Sequence, residues 1–284
     1  MHPLYPKYNV AIMVIPILIA LPLCIGYLLI EDYGRAIASL FAAAFFVAVI
    51  IEFLAMQKYN RLVLHTFSTE CDGETFAREH ERFDPSKCTP AVNRAVVQSN
   101  AAVAAFERGD DEAAYFLLEE ALRFADEKGK KISIPIRAML LRNCGGYAAS
   151  TGRLERAEEL LQRLSALRDG LTPKQAGKWG KTVAEYVQVL SFSIRIARGD
   201  IGDEVLFFCR RQAEIAVVKR IRVSELFEVG SLHLKRGENE DAMRVFETVA
   251  REGNTLRVAR EARARLEGRE TDAPRREGIN EVIF

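Results

Sequence analysis

The chain has 284 residues, of which 28% are charged and 49% hydrophobic, and its formal net charge is +1. This near-neutral balance lacks the basic surplus that is typical of nucleic-acid-binding proteins, so we predict no nucleic-acid partner. The five cysteines are odd in number and form no CxxC pair, which argues against a disulfide framework or a zinc ribbon.

Two apolar runs lie near the N-terminus. Residues 10–30 carry no charge, and residues 36–56 carry one acid. Each run has 21 residues and would span about 31 Å as a helix, which matches the hydrocarbon core of a bilayer. We therefore predict a transmembrane helical hairpin over residues 10–56, turning at residues 31–35 and preceded by a short segment, 1–9. The first run has no small-residue cleavage motif, which makes a signal peptide the weaker alternative.

The flanking charges indicate an orientation for this hairpin. Lys7 precedes the first run, Lys58 and Arg61 follow the second, and the turn has Arg35 beside two acids. The positive-inside rule then favours cytoplasmic N- and C-termini for an integral protein of the cell membrane, with the lipid bilayer as one partner. Glu52 lies near the cytoplasmic end, where a carboxylate can reach the interface, so the hairpin is predicted to be an anchor rather than a transporter.

Residues 57–90 are predicted to be a juxtamembrane helical linker. Asp72 is a plausible N-cap for a short helix that would stop at Pro85. Four potential ligands in this segment have spacings typical of no zinc site, so we predict no metal: His65, Cys71, His80 and Cys88.

Residues 91–266 contain a pattern that occurs four times, in which a helical stretch ends at a glycine-containing turn and a second helix follows. The turn glycines are separated by 43, 47 and 38 residues: Gly109, Gly152, Gly199 and Gly237. Helix pairs that recur at 20 to 50 residues indicate an α-solenoid. The sequence therefore predicts an all-α fold with about four stacked helix pairs.

Small residues stand where the helices of a pair would approach closely in the first, second and fourth units. They lie seven residues before and five residues after the turn glycine: Ala102, Gly145, Gly230, Ala114, Ala157 and Ala242. A large residue stands nine positions after each glycine: Leu118, Leu161, Phe208 and Phe246. The third unit has Phe192 and Glu204 at its small positions, so we expect its packing to differ.

This pattern resembles the tetratricopeptide repeat over residues 91–266. The resemblance implies a scaffold for protein–protein interaction and implies no reaction. Units longer than 34 residues leave a related helical-hairpin solenoid open, with extended loops or helices expected at residues 127–137 and 169–181. Trp179 would lie in the second of these segments, either exposed or packed beneath it.

The last part of the chain is predicted to close the solenoid. Residues 254–266 keep an apolar face and indicate a capping helix for its open end. Residues 267–284 are predicted to be a disordered linker that ends in an apolar tail, which would dock on a groove or fray.

Enzymatic motifs are absent from the sequence. It contains no glycine-rich phosphate loop, no HExxH and no GxSxG, so we predict neither catalysis nor a cofactor. His233 follows a packed helical pattern and is expected to lie on a helix face.

The sequence thus predicts a membrane-anchored protein–protein interaction scaffold that binds a protein or peptide in a groove. Two alternatives remain: an accessory subunit of a membrane complex assembled through the hairpin, or a sensor that binds a small ligand in the groove. In tetratricopeptide-like stacks the first helix of each pair lines the concave face, which places seven residues there: Ser99, Asn100, Val103, Arg142, Asn143, Tyr186 and Phe227. Arg142 and the two asparagines could together hold a carboxylate or a peptide backbone.

Overall fold

The structure is a computed structural model, and it describes Ile25 and residues 33–88 and 91–269. Every regular element in these ranges is helical and none is a strand, which confirms the all-α class. Segment 1–9, the first apolar run apart from Ile25, and the tail beyond residue 269 lie outside the described residues. The described residues up to Leu62, with Arg82–Asp84, form one compact unit, and Val63–Glu81 with the residues from Pro85 onward form a second.

The first unit contains a long helix, α1, at Tyr33–Asn60. It includes the whole second apolar run and begins three residues before it. Large apolar side chains are exposed along it: Tyr33, Ile37, Phe41, Phe45, Ile50 and Leu54. Counted over the residues that the structure describes, no helix is long and apolar enough to cross a membrane. A π-helical segment, Arg61–Thr69, follows α1 directly.

The predicted leading helix is present as α2, at Gly73–His80. Asp72 is its N-cap, because its Oδ1 accepts the N–H of Thr75 at 3.0 Å. The helix ends before the predicted stop, and Pro85–Lys87 forms a separate 3₁₀ turn.

Nine further helices follow, and eight of them form four consecutive pairs. Their bounds are α3 Ala91–Arg108 and α4 Asp111–Lys128, α5 Ile134–Ser150 and α6 Leu154–Asp169, α7 Pro173–Ala197 and α8 Asp203–Ile215, α9 Lys219–Lys235 and α10 Asn239–Glu252, and finally α11 Arg257–Leu266. Helices α3, α5 and α9 are enclosed on nearly all sides, whereas the second helix of each pair keeps an outer polar face. The first helices of the first, second and fourth pairs therefore form the inner layer of a solenoid-like bundle.

The turn glycines lie between the helices of each pair as predicted, and the two close-contact glycines differ in which helix they approach. All four turn glycines have positive φ: Gly109, Gly152, Gly199 and Gly237. A Cβ atom on Gly230 would lie 2.7 Å from Cε1 of Phe246 on the partner helix α10. On Gly145 it would lie 2.7 Å from Cδ2 of Leu190, which belongs to α7 of the next unit. Small residues thus allow close helix approach both within a pair and between neighbouring units.

The third unit departs from the others, as its sequence indicates. Helix α7 packs mainly on α5 and α6, and α8 packs mainly on α9. Phe192 and Phe208 stack with their ring centroids 3.9 Å apart, so a ring fills the space that a small residue leaves in the other units. The turn is also longer, because α8 begins four residues after Gly199, and Val205 is buried there while Glu204 is exposed.

Much of the segment predicted to extend the loop at residues 169–181 is helical. Thr172 and Gln175 form a capping box, and Pro173 occupies the first turn, where it needs no N–H partner. These start signals outweigh the weak helix propensity of Gly177 and Gly180. Trp179 consequently lies on α7, where it is partly exposed.

The predicted capping helix is present as α11, but the end that it covers is not open. α11 packs on α10 and α9 and also contacts α3, the first helix of the solenoid. The two ends of the repeat region therefore meet. For the two ends to meet, the stack of helix pairs must be curved. This curvature cannot be inferred from the sequence of a single repeat.

Candidate functional site

Six of the seven residues predicted to line a concave groove lie inside the protein. Ser99, Asn100, Val103, Arg142, Asn143 and Phe227 are buried, and Tyr186 is partly exposed. Their helices, α3, α5 and α9, form the inner layer, so neighbouring helices cover the face that an open solenoid would present. A partner has no direct access to the six buried side chains in this structure, and their role in binding stays a prediction.

This inner face is nevertheless polar. Arg142 donates to Oδ1 of Asn143 at 2.9 Å. Among the described residues, several buried polar atoms of this face make no hydrogen bond, including Oε1 of Gln98, Oγ of Ser99 and Nε of Arg142. Buried groups of this kind commonly bond ordered water, so they do not by themselves indicate a ligand.

The two ends of the repeat region are joined by a group of charged residues that we call the clasp: Glu107, Asp111, Arg257, Arg260 and Glu261. The backbone N–H of Arg257 donates to Oε2 of Glu107 at 2.8 Å. The Arg257 guanidinium donates to Asp111 Oδ1 and to Glu261 Oε1, each at 2.9 Å. Because the Arg257 side chain is 8% exposed, these charges are paired in a largely desolvated region.

The leading segment is attached to the same place. The Thr255 hydroxyl donates to Oδ1 of Asp72 at 2.7 Å and accepts the N–H of Glu74 at 3.2 Å. The side-chain amide of Asn254 donates to the carbonyl of Glu70 at 3.1 Å. Segments about 180 residues apart in sequence are therefore held together, and the clasp has a structural role.

Burial dominates the electrostatics of the clasp. It raises the pKa of Glu107 to about 7, although the Arg257 N–H and the Arg260 charge favour the carboxylate. Burial also raises the pKa of Asp111 and of Glu261, while Arg257 opposes the shift in both. A poorly solvated carboxylate next to arginines is suited to holding helices together.

An accessible cleft lies between α8, α9 and α10, and we call it the α8–α10 cleft. Its volume is about 580 Å³, and it is lined by Arg210, Ala213, Glu214, Arg222, Leu226, Val229, His233, Asp241, Arg244 and Val245. Four of these residues are apolar, and three arginines face two carboxylates. It exists because α8 packs on the fourth unit rather than on α7. Such a surface can hold an apolar side chain while its arginines bind a carboxylate.

One group of potential metal ligands borders this cleft. Among the described residues, the group whose ligand atoms lie within 4.8 Å of one another is His233, Glu238 and Asp241. Arg210 contacts Nε2 of His233 at 2.8 Å, and Nδ1 of the same ring pairs with Glu238. Arg236 and Arg244 pair with Glu238 and Asp241, respectively. Since each ligand is already bonded to an arginine, the group closes the turn between α9 and α10 and does not fit a cation.

Sequence reasoning identified neither the cleft nor the clasp. The departure of the third unit from the repeat pattern was a sequence signal for the cleft. The clasp had no such signal, because it forms only where the curvature of the helix stack brings the two ends of the repeat region together. Comparisons with protein-family models, with curated proteins and with solved structures gave no match for the chain. The tetratricopeptide resemblance therefore stays a prediction.

Proposed function

We propose that the protein is a membrane-anchored scaffold whose tetratricopeptide-like helix pairs bind a protein partner through the α8–α10 cleft. The observation that carries this proposal is the cleft itself, which is an accessible surface with an apolar floor and several arginines. The predicted concave face offers no comparable access. An extended peptide with an apolar side chain next to an acidic residue has the complementary chemistry.

The anchor in this proposal is the helical hairpin of residues 10–56. Helix α1 has 28 residues, about 42 Å at 1.5 Å per residue, so its length alone would cover the roughly 30 Å of a hydrocarbon core, although no described helix combines sufficient length with sufficient apolar character. Large apolar side chains such as Ile37, Phe41 and Leu54 are exposed on this helix, and a bilayer would cover them. The charges at Lys58 and Arg61 support a cytoplasmic position for the repeats.

A photo-crosslinking residue at Val245, in the full-length protein in native membranes, tests the cleft. We expect crosslinks to a protein partner from this position, and few from the same residue placed at Phe116, which is exposed on α4. Crosslinks that arise at Phe116 and not at Val245 would exclude the cleft as the partner site.

Two arginines of α10 provide a matched pair of variants for this test. The side chains of Arg244 and Arg251 are each 72% exposed, but only Arg244 lines the cleft. Arg244→Glu should weaken partner binding about fivefold, or roughly 1 kcal/mol, which is the upper range for an exposed ion pair. Arg251→Glu should leave binding unchanged. Equal effects of the two changes would indicate a general charge effect instead of a specific contact.

The exposed apolar residues of α1 also favour a second function, that of an accessory subunit assembled through the hairpin. Side chains four residues apart, such as Ile37, Phe41 and Phe45, lie on one face of a helix and can pack against another helix in the membrane. Deletion of residues 1–56 separates the two functions. A scaffold keeps its crosslinked partner in detergent after the deletion, and a hairpin-assembled subunit loses it.

A further inference from the structure

The loop between α8 and α9 exposes apolar side chains that the fold does not use. Ile215, the last residue of α8, is 59% exposed, and Val217 is 98% exposed. Leu64, in the π-helical segment, is 43% exposed. Single exposed apolar residues are ordinary, but Leu64 and Val217 line the same hollow although they are distant in sequence. Such a cluster marks a surface that is covered in use.

The hollow combines apolar and polar features. Its volume is about 280 Å³, and it is lined by Leu64, Ser68, Thr69, Val217, Val218 and Lys219. Ser68 is 3% exposed, and its hydroxyl makes no hydrogen bond among the described residues. Lys219, at the start of α9, adds a cation to the lining. A hydroxyl beneath apolar side chains, with an ammonium group in the same lining, complements the ester and phosphate groups of a phospholipid.

The position of Leu64 along the chain indicates where such lipid would come from. Leu64 follows Met56, the last residue of the second apolar run, by eight residues, about 12 Å along a helix axis. If that run lies in a bilayer, this short connection keeps Leu64 within reach of the cytoplasmic surface. The cytoplasmic leaflet is anionic and attracts lysine side chains at its surface.

We propose that Leu64, Ile215, Val217 and Lys219, together called the lipid-facing patch, bind the surface of an anionic phospholipid bilayer. The apolar side chains enter the region between the headgroups and the acyl chains, and Lys219 pairs with a phosphate. This proposal rests on the membrane anchor described above. The patch would be a second contact between the protein and the membrane, in addition to the anchor. Two contacts would restrict the orientation of the repeat region relative to the bilayer.

Tryptophan fluorescence in lipid nanodiscs tests the patch in the full-length protein. Trp179→Phe removes the native tryptophan, and Val217→Trp then reports on the patch. In nanodiscs of phosphatidylcholine and phosphatidylglycerol, replacing the phosphatidylcholine with its brominated form should quench most of the Val217→Trp emission. Lys219→Glu should reduce this quenching in anionic nanodiscs and have little effect in zwitterionic ones.

Two further positions make the outcome decisive. Phe116→Trp, exposed on α4, should not be quenched, and equal quenching there would mean nonspecific adsorption and overturn the patch. Phe45→Trp, on α1, should be quenched if the anchor is correct. Quenching at Phe45→Trp without quenching at Val217→Trp would overturn the patch alone, whereas no quenching at Phe45→Trp would overturn the anchor and the inference that rests on it.

The same variants test whether the phosphate group that pairs with Lys219 belongs to a lipid or is a free anion. Inorganic phosphate, added to the protein in detergent, should not change the emission of Val217→Trp. If phosphate changes this emission and brominated lipid does not, the lysine binds a free anion and the proposal is overturned.

Discussion

Two glutamates of the inner layer show how the environment of a residue determines its charge. Glu107 accepts a hydrogen bond from the Arg257 backbone N–H, whereas Oε2 of Glu228 makes none. Burial and, to a smaller extent, the neighbouring Glu225 charge raise the pKa of Glu228 to about 8, against the opposing charges of Lys235 and Arg265. Glu228 is thus the less well compensated acid, and its environment in the folded protein favours the neutral, protonated form.

The sign of this effect on stability follows from proton linkage. The pKa of Glu228 is higher in the folded protein than in the unfolded chain, so the folded state binds the proton more tightly. The contribution of Glu228 to the free energy of unfolding should therefore be most favourable below about pH 4.5 and should decrease as the pH rises to about 8. Glu228→Gln, which stays neutral, should be on the order of 2–4 kcal/mol more stable than the wild type above pH 8, with little difference near pH 4.

Thermal unfolding followed by circular dichroism between pH 4 and 9 measures this difference. Glu247→Gln, an exposed acid on α10, is the control and should follow the wild-type profile. Parallel profiles for Glu228→Gln and the wild type would mean that Glu228 gains a partner, such as buried water, that compensates its charge.

At the scale of elements, the sequence pattern predicted which helices pair and where they approach. Glycine and alanine at fixed distances from each turn identified the contacts, because close helix packing depends on local residue size. Phe192 and Glu204 likewise identified the third unit as different. These two residues could not show that α8 packs on α9 and leaves a cleft. The packing partner of α8 depends on the apolar surfaces of all four units together.

Glycine substitutions test this packing with a control from the same fold. Gly230→Ala places a Cβ atom 2.7 Å from the Phe246 ring, so it should cost about 1–3 kcal/mol by overpacking. Gly177, exposed within α7, has no atom within 4 Å of an added Cβ. Gly177→Ala should therefore stabilise the protein by about 0.5–1 kcal/mol through helix propensity. Melting temperatures that fall for both variants would contradict the assigned contact.

At the scale of the whole molecule, closure of the repeat region is the feature that sequence reasoning missed. The apolar face of α11 correctly predicted a capping helix, but two of the residues that Arg257 contacts, Glu107 and Asp111, lie about 150 residues earlier in the chain. Their meeting depends on the small rotation between successive units, which accumulates over four pairs and leaves no signature in any one of them. The burial of the predicted groove residues has the same cause, because a closed stack covers the face that an open one exposes.

The clasp therefore predicts that distant parts of the chain lose stability together. Arg257→Met keeps much of the side-chain volume but leaves the Asp111 and Glu261 carboxylates without their central cation, which should cost about 3–5 kcal/mol, as expected for breaking a buried ion pair. Hydrogen exchange should then accelerate in α11 and also in residues 70–81 and the end of α3, because Thr255 and Arg257 hold these segments together. Arg251→Met, exposed on α10, should change neither region. Faster exchange confined to α11 would mean that the two ends are stable independently and that closure contributes little to the fold.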